Sequence, residues 1–185
     1  MIEAELKARV EAPAEVRRRL DARGDGRAEV YRDTYYDTPG GVLAANDQEL
    51  RVRTVHGRDQ TRTVLTFKGA VIDADSGSKP EHETQVKDVE ATHALLRGLG
   101  YVPLIAFEKR CRNYEFEAHG RRMLATLVRV PEIDGTFLEL ETLVDESEVD
   151  AALDDVRSVL AELGIRTEDL TREQYTEAVA ARRAA

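Results

Sequence analysis

The segment Glu3-Ala4-Glu5-Leu6-Lys7, close to the start of the sequence, alternates charged and apolar residues. Successive side chains of a β-strand point to opposite faces, so the two glutamates and the lysine share one face while the alanine and the leucine share the other. Taken alone, this pattern is more typical of an edge strand whose charged face is in water.

The same alternation recurs in four later segments of the chain. They are Arg51-Val52-Arg53, Lys79-Pro80-Glu81-His82-Glu83, Arg110-Cys111-Arg112 and Glu139-Leu140-Glu141. Both signs of charge therefore lie on successive strands. This favours a closed sheet with a charged, water-filled interior and an apolar exterior covered by helices.

Composition limits the classes of function that need to be considered. The chain has 185 residues and a net charge of −9, which argues against a general nucleic-acid binder because duplex binding depends on a basic surface. A small anionic ligand remains compatible, since local clustering of charge matters more than the total. The single cysteine excludes an internal disulfide. No apolar stretch reaches membrane-spanning length and no secretory signal is recognisable, so the expected location is cytoplasmic.

Periodicity predicts one domain over residues 1–185, with residues 147–183 forming a C-terminal helical segment. The predicted strands are residues 2–11, 29–36, 49–55, 60–68, 81–86, 106–118, 122–131 and 136–144. The predicted helices are residues 13–20, 88–99, 147–163 and 168–183. Residues 74–78 are predicted to form a polar connection.

Paired glutamates are the candidate metal ligands. Glu3 and Glu5 lie about 7 Å apart along a strand, close enough to share one hydrated hard cation such as Mg²⁺ or Mn²⁺. Glu139 and Glu141 form a second pair. Each pair alone is compatible with a solvated sheet face, but like charges gathered in one lumen repel unless a cation is present. Glu83 is a further candidate ligand.

Basic residues on the same faces are the candidate phosphate-binding groups, because lysine and arginine bind phosphate oxygens. The candidates are Lys7, Arg51, Arg53, Lys68, Lys79, Arg110 and Arg112. Lys7 and Arg53 are the expected catalytic residues. On the sixth predicted strand, alternation directs Arg110 and Arg112 inward and Lys109 outward.

Other reactive residue types carry weaker signals. Cys111 lies between two arginines and is expected to point outward as a buried core thiol. The four histidines show no metal-ligand spacing, and Ser76 and Ser78 lack the context of a nucleophile elbow. Of the two glutamates in the segment Lys79-Pro80-Glu81-His82-Glu83, Glu83 is favoured over Glu81.

Taken together, the motifs resemble those of the CYTH family, also called triphosphate tunnel metalloenzymes. Glu3-Ala4-Glu5-Leu6-Lys7 matches the family's E-x-E-x-K signature. The further motifs follow in the family's order: Asp33-Thr34-Tyr35-Tyr36-Asp37-Thr38-Pro39, Glu49-Leu50-Arg51-Val52-Arg53, Leu65-Thr66-Phe67-Lys68-Gly69 and Gly135-Thr136-Phe137-Leu138-Glu139-Leu140-Glu141. The motif spacing and the segment around Lys79 look most like the class IV adenylate cyclase branch.

This resemblance implies an α+β fold with a closed eight-stranded antiparallel β-barrel that binds a triphosphate and a divalent metal. One departure stands out. The family usually carries an aspartate on the strand before the final E-x-E, roughly where Val128-Arg129 stand here. Either Asp134, in the following turn, replaces that aspartate or the metal site is altered.

The resemblance implies a metal-dependent reaction on a small triphosphate compound. Class IV adenylate cyclase activity, which converts ATP to cyclic AMP and pyrophosphate, is the first expectation. A triphosphatase acting on tripolyphosphate or thiamine triphosphate, and a non-catalytic nucleotide-binding or polyphosphate-binding module, are the alternatives. No nucleic acid or membrane is expected as a partner, and a homodimer is compatible with the sequence.

Overall fold

The computed structural model describes residues 2–71 and 79–185. Eight strands lie in this part of the chain: β1 (Ile2–Arg9), β2 (Arg27–Asp37), β3 (Glu49–His56), β4 (Thr61–Lys68), β5 (Lys79–Val86), β6 (Val102–Ala118), β7 (Arg121–Arg129) and β8 (Phe137–Val144). They close into an antiparallel barrel in the order β1-β5-β4-β3-β2-β6-β7-β8. The predicted closed eight-stranded barrel is confirmed. The predicted connection at residues 74–78, with Ser76 and Ser78, lies outside the described residues.

Helices lie outside the barrel, as predicted. The described part of the chain contains α1 (Pro13–Asp21), α2 (Val42–Ala45), α3 (Val89–Gly98), α4 (Val149–Glu162) and α5 (Tyr175–Ala184). None of these helices is long and apolar enough to cross a membrane.

The main hydrophobic core lies between the outer face of the barrel and α4. The predicted apolar stripe of α4, which includes Val156 and Leu160, is buried against outward-facing residues such as Ala4 and Leu140. Burial of this apolar layer provides most of the driving force for folding. Because the apolar residues of β1 and β8 face the helices, the alternating charged residues of these strands must face the lumen.

Strand pairing brings the charged segments at the two ends of the sequence together. β1 pairs with β8 so that Glu5 lies opposite Glu141 and Lys7 lies opposite Glu139. In the described part of the chain, β5 pairs with β1 at Ile2 and Glu3. Further along β1, a C-terminal segment takes its place: Ala8 bridges to Leu170, and the Thr171 amide donates to the Lys7 carbonyl oxygen at 2.9 Å.

On β6 the predicted inward and outward faces are reversed. Lys109 points into the lumen and is 4% exposed, whereas Arg110 is exposed on the outer surface. The phase of the strand is set by Tyr114 and Phe116, which are buried in the outer core beside α1. All even-numbered residues in this part of β6 therefore face outward. Cys111 is buried on the inner side, so its predicted outward direction was also wrong.

We expect Leu160→Ala to lower the free energy of unfolding by about 2–5 kcal/mol, because it leaves a cavity between α4 and the barrel. Leu160 is 2% exposed. Leu104→Ala is the matched control: Leu104 is 58% exposed, and a surface change of this kind usually costs less than about 0.5 kcal/mol. Urea unfolding measures both values. Equal losses would contradict the described position of α4.

Candidate functional site

The barrel encloses a cavity of about 680 Å³ whose wall is formed by inward-facing alternate residues of the strands. All of the predicted site residues line it except Arg110 and Arg112. Arg110 pairs instead with Glu108 on the surface, with 3.3 Å between the charged groups. Arg112 donates to the Tyr114 hydroxyl at 2.8 Å, also on the outer side. These two predictions were wrong because the phase of β6 is set by the outer core.

Three glutamates form an acidic cluster in this cavity. Glu3, Glu5 and Glu141 each place a carboxylate oxygen within 4.8 Å of the other two. Burial, followed by the charges of Glu3 and Glu139, raises the pKa of Glu5 to about 7. Burial and the neighbouring carboxylates also raise the pKa of Glu141 well above its ordinary value.

The chemistry of this donor set fits a hard divalent cation. Carboxylate oxygens are the preferred ligands of Mg²⁺ and Mn²⁺. The mutual repulsion that raises the two pKa values is the repulsion that a cation between the carboxylates would relieve. Glu3, Glu5 and Glu141 are therefore the residues able to hold a metal ion.

The other two predicted metal ligands lie apart from this cluster. The Glu139 carboxylate is 3.9 Å from the Lys109 ammonium. Its pKa is lowered because the charges of Lys109 and Lys7 outweigh the effect of burial. Glu83 accepts a hydrogen bond from the Thr66 hydroxyl at 2.9 Å near the rim of the cavity. Glu81, which the sequence ranked lower, lies 3.1 Å from the Lys68 ammonium.

Two basic groups lie close to the acidic cluster. Lys68 forms an ion pair with Glu3, and Arg51 contacts the Thr66 hydroxyl at 3.3 Å. Nε of Arg51 is buried and has no hydrogen-bond partner among the described residues. A buried donor without a partner is costly, so this atom points to an anionic ligand in the lumen.

Arg53 is held in place by a residue that sequence reasoning missed. Asp33 accepts hydrogen bonds from Nε and Nη2 of Arg53 at 2.7 and 2.8 Å, and its side chain is fully buried. Burial opposes the charge on Asp33, but Arg53 outweighs it and lowers the pKa of Asp33. The guanidinium also lies 4.5 Å from the Tyr31 ring centroid. The strand alternation of β2 was the signal that could have placed Asp33 in the lumen.

One end of the lumen is closed by Tyr175 at the start of α5. The ammonium groups of Lys7 and Lys109 lie 4.5 and 4.3 Å from the Tyr175 ring centroid. Lys7 also donates a hydrogen bond to the backbone carbonyl of Glu173. Burial, followed by the charge of Glu139, raises the pKa of the tyrosine hydroxyl. The sequence pattern described this region only as a weak helix, so Tyr175 was missed.

Lys79 lines the cavity, but acidic residues hold its ammonium. It lies 2.9 Å from Oδ1 of Asp47 and 3.3 Å from Oε1 of Glu49. A phosphate would have to compete with both carboxylates for this lysine. Of the predicted basic residues in the lumen, Arg51 is therefore the best placed to donate a hydrogen bond to an anion.

The strand before the final pair of glutamates carries no acidic residue into the described cavity. Its inward positions there are Leu124 and Thr126, and Val128 is buried beyond them. Asp134 is exposed in the turn after β7 and does not line the cavity. The alternative in which Asp134 replaces a lumenal aspartate is therefore wrong.

The sequence profile of the CYTH domain matches residues 1–175. The chain belongs to the CYTH domain family. Its similarity to one relative extends over nearly the whole length: a protein of Methanocaldococcus jannaschii named "putative adenylate cyclase" is 27% identical, with 96% of this chain and 98% of that protein covered.

Solved structures share the same barrel. PH1819 from Pyrococcus horikoshii superimposes with a TM-score of 0.82 at 27% identity, covering 97% of this chain and 98% of its own. A Hippeastrum protein, described as a "putative adenylyl cyclase" with a dominant triphosphatase activity, gives a TM-score of 0.67 at 18% identity, with coverages of 98% and 96%. The latter likeness shows the fold alone.

We expect the stability of the metal-free protein to fall as the pH rises from about 4.5 to about 7. The pKa of Glu5 is raised from 4.5 to about 7 on folding. A raised carboxyl pKa favours the folded state below the unfolded value, and that contribution is lost as the pH rises through the folded value. The pKa of Glu3 is lowered on folding. Its contribution to stability is therefore lost as the pH falls below about 4.5.

Melting temperatures with excess Mg²⁺ and with EDTA measure this effect. The increase in melting temperature caused by Mg²⁺ should be larger at about pH 8 than at about pH 5.5, because protons compete for the carboxylates at the lower pH. Glu5→Gln should reduce the difference between the two pH values. An equal gain at both pH values in the unchanged protein would contradict the repulsive acidic cluster.

Proposed function

We propose that this protein is a metal-dependent enzyme that converts ATP to cyclic AMP and pyrophosphate. The observation that carries the proposal is that acidic and basic side chains lie side by side in one lumen. Three carboxylates able to hold a cation lie beside Lys68 and Arg51, and Nε of Arg51 has no partner in the described part of the chain. This arrangement suits a polyphosphate with its metal ion.

Each group has a distinct task in this proposal. Arg51, Arg53 and Lys68 bind the phosphate oxygens, and Asp33 fixes the direction of Arg53. Mg²⁺ or Mn²⁺ held by Glu3, Glu5 and Glu141 would supply charge neutralisation at the phosphates. Lys7 faces the same lumen from β1, where its pKa is lowered by burial.

Cyclisation requires an internal nucleophile and a stabilised leaving group. The ribose 3′-oxygen forms a bond to the α-phosphorus, the bond from that phosphorus to the pyrophosphate oxygen breaks, and the hydroxyl proton is released. The arginines and Lys68 stabilise the negative charge that develops on pyrophosphate. Among the described residues that line the cavity, none is a histidine able to activate water. This favours an attacking group carried by the substrate.

Two comparisons bear on the choice between cyclisation and hydrolysis. The archaeal relative is named as an adenylate cyclase, which supports the first proposal. The Hippeastrum neighbour is described as having a dominant triphosphatase activity. In this chain, the family aspartate expected near Val128-Arg129 is absent, and β7 contributes Leu124 and Thr126 to the described cavity. The absence of this acidic ligand keeps a triphosphatase acting on tripolyphosphate or thiamine triphosphate as the second candidate.

Product analysis tests the proposal. The protein is incubated with ATP, thiamine triphosphate or tripolyphosphate, each with Mg²⁺ or Mn²⁺, and the products are separated by chromatography. We expect cyclic AMP and pyrophosphate in equal amounts from ATP, and no turnover in excess EDTA. Orthophosphate without cyclic AMP would support the triphosphatase. The absence of product from every triphosphate would leave only a binding module.

We expect Arg51→Ala to weaken the binding of α,β-methylene-ATP by about 1.5–3 kcal/mol, the usual size of a hydrogen bond to a charged group. Arg110→Ala, on the same barrel but on its outer face, is the matched control and should leave affinity unchanged. Isothermal titration measures both, after circular dichroism has confirmed that each variant is folded. Equal losses in the two variants would show that Arg51 does not contact the phosphates.

A further inference from the structure

Towards one end of the barrel, apolar side chains lie beside the charged ones on the inward face. This end, called here the lower end, contains the start of β1 and the end of β8, which pair at Ile2 and Val144. Inward positions alternate along each strand, so their order can be followed from the register. These apolar side chains lie on four strands.

On each of these strands, an apolar side chain lies two residues from a polar residue of the inward face. Val55 follows Arg53 on β3, and Leu143 follows Glu141 on β8. On the two strands that run in the other direction, Val64 precedes Thr66 on β4 and Leu124 precedes Thr126 on β7. We call the four apolar side chains, Val55, Val64, Leu124 and Leu143, the apolar collar. All four line the same cavity as the charged residues.

The collar consists of two pairs of neighbours. On β3 and β4, Arg53 pairs with Val64 and Val55 pairs with Arg62, so the two valines are diagonal neighbours. On β7 and β8, Leu124 pairs with Glu141, which places it diagonally beside Leu143. The collar is thus in direct continuity with the acidic cluster and with Arg53. Leu143 is 55% exposed, so the collar reaches solvent.

One cation is fixed at the same end. Arg62 lines the cavity and donates from Nη1 to Glu29 at 3.1 Å. Glu29 is buried and also accepts from Nδ2 of Asn113 at 2.7 Å. A guanidinium held in this way offers a planar face, and guanidinium groups stack on uncharged aromatic rings.

We propose that the apolar collar and Arg62 bind an uncharged planar ring attached to the triphosphate, so that the substrate is a nucleoside triphosphate rather than bare tripolyphosphate. This inference rests on the proposed function, because it assumes that the charged centre of the lumen holds the phosphates. Tripolyphosphate would leave the collar facing water. A cationic ring, such as a thiazolium, would gain no cation–π attraction from Arg62 and would be repelled by its charge.

The test compares two non-hydrolysable ligands that share a phosphate chain. Isothermal titration in Mg²⁺ measures the affinity of α,β-methylene-ATP and of imidotriphosphate for the unchanged protein and for the double variant Leu124→Ser with Leu143→Ser. Leu104→Ser, at an exposed leucine on the outside of β6, is the matched control. We expect the double variant to bind the nucleotide about 5- to 30-fold more weakly, as the loss of two partly buried leucines predicts. Its affinity for imidotriphosphate should stay within about twofold.

The outcomes separate this inference from the proposed function. If the unchanged protein binds both ligands equally and the double variant changes neither, the collar has no role and the triphosphate site stands. If the double variant loses both affinities together, the leucines act on the fold and the inference is overturned. If the unchanged protein binds neither ligand, the proposed function itself fails, and the collar fails with it. Tighter binding of thiamine triphosphate than of the nucleotide would overturn the assignment of an uncharged ring.

Discussion

The structure depends on the balance of like and unlike charges inside a closed sheet. Removing a carboxylate from water is costly unless a cation or hydrogen-bond donors compensate. Asp33 is compensated fully by Arg53, and Glu3 by Lys68. Within residues 2–71 and 79–185, neither Glu5 nor Glu141 forms such an ion pair, and burial and the neighbouring carboxylates raise both pKa values. The acidic cluster is therefore the place in the lumen where negative charge is not balanced by positive charge.

Burial of the apolar layer outside the barrel offsets the free-energy cost of enclosing charged residues inside it. Charged residues fill the inside of the barrel, so the apolar core must lie outside, between the strands and helices such as α4. The exterior packing also fixes which side chains enter the lumen. A change of phase in one strand would exchange its lumenal and core residues completely, because the period of a strand is two residues. Stability and site composition are thus set by the same alternation.

Sequence reasoning predicted most of this arrangement where alternation was unambiguous. Charged and apolar residues alternate throughout β1 and over Leu138-Glu139-Leu140-Glu141 of β8, and both Glu5 and Glu141 lie in the lumen as predicted. β6 carries adjacent charges at Lys109 and Arg110, and the pattern alone could not fix its phase. The deciding contacts, made by Tyr114 with the outer layer, are tertiary. Tyr175 was missed for a related reason: its role depends on where a distant segment docks.

The docking of that segment has a consequence for how the protein is made. Lys7 and Glu173 are 166 residues apart in sequence but in contact in the lumen. β1 leaves the ribosome before β8 and the segment around Leu170, so its lumenal face is enclosed only after both have been made. Contacts of such long range form slowly, because a large loop must close before they are gained. The nascent barrel therefore carries an exposed row of glutamates and lysine until the segment around Leu170 has been made, and these charges keep the unpaired edge of β1 from joining other chains.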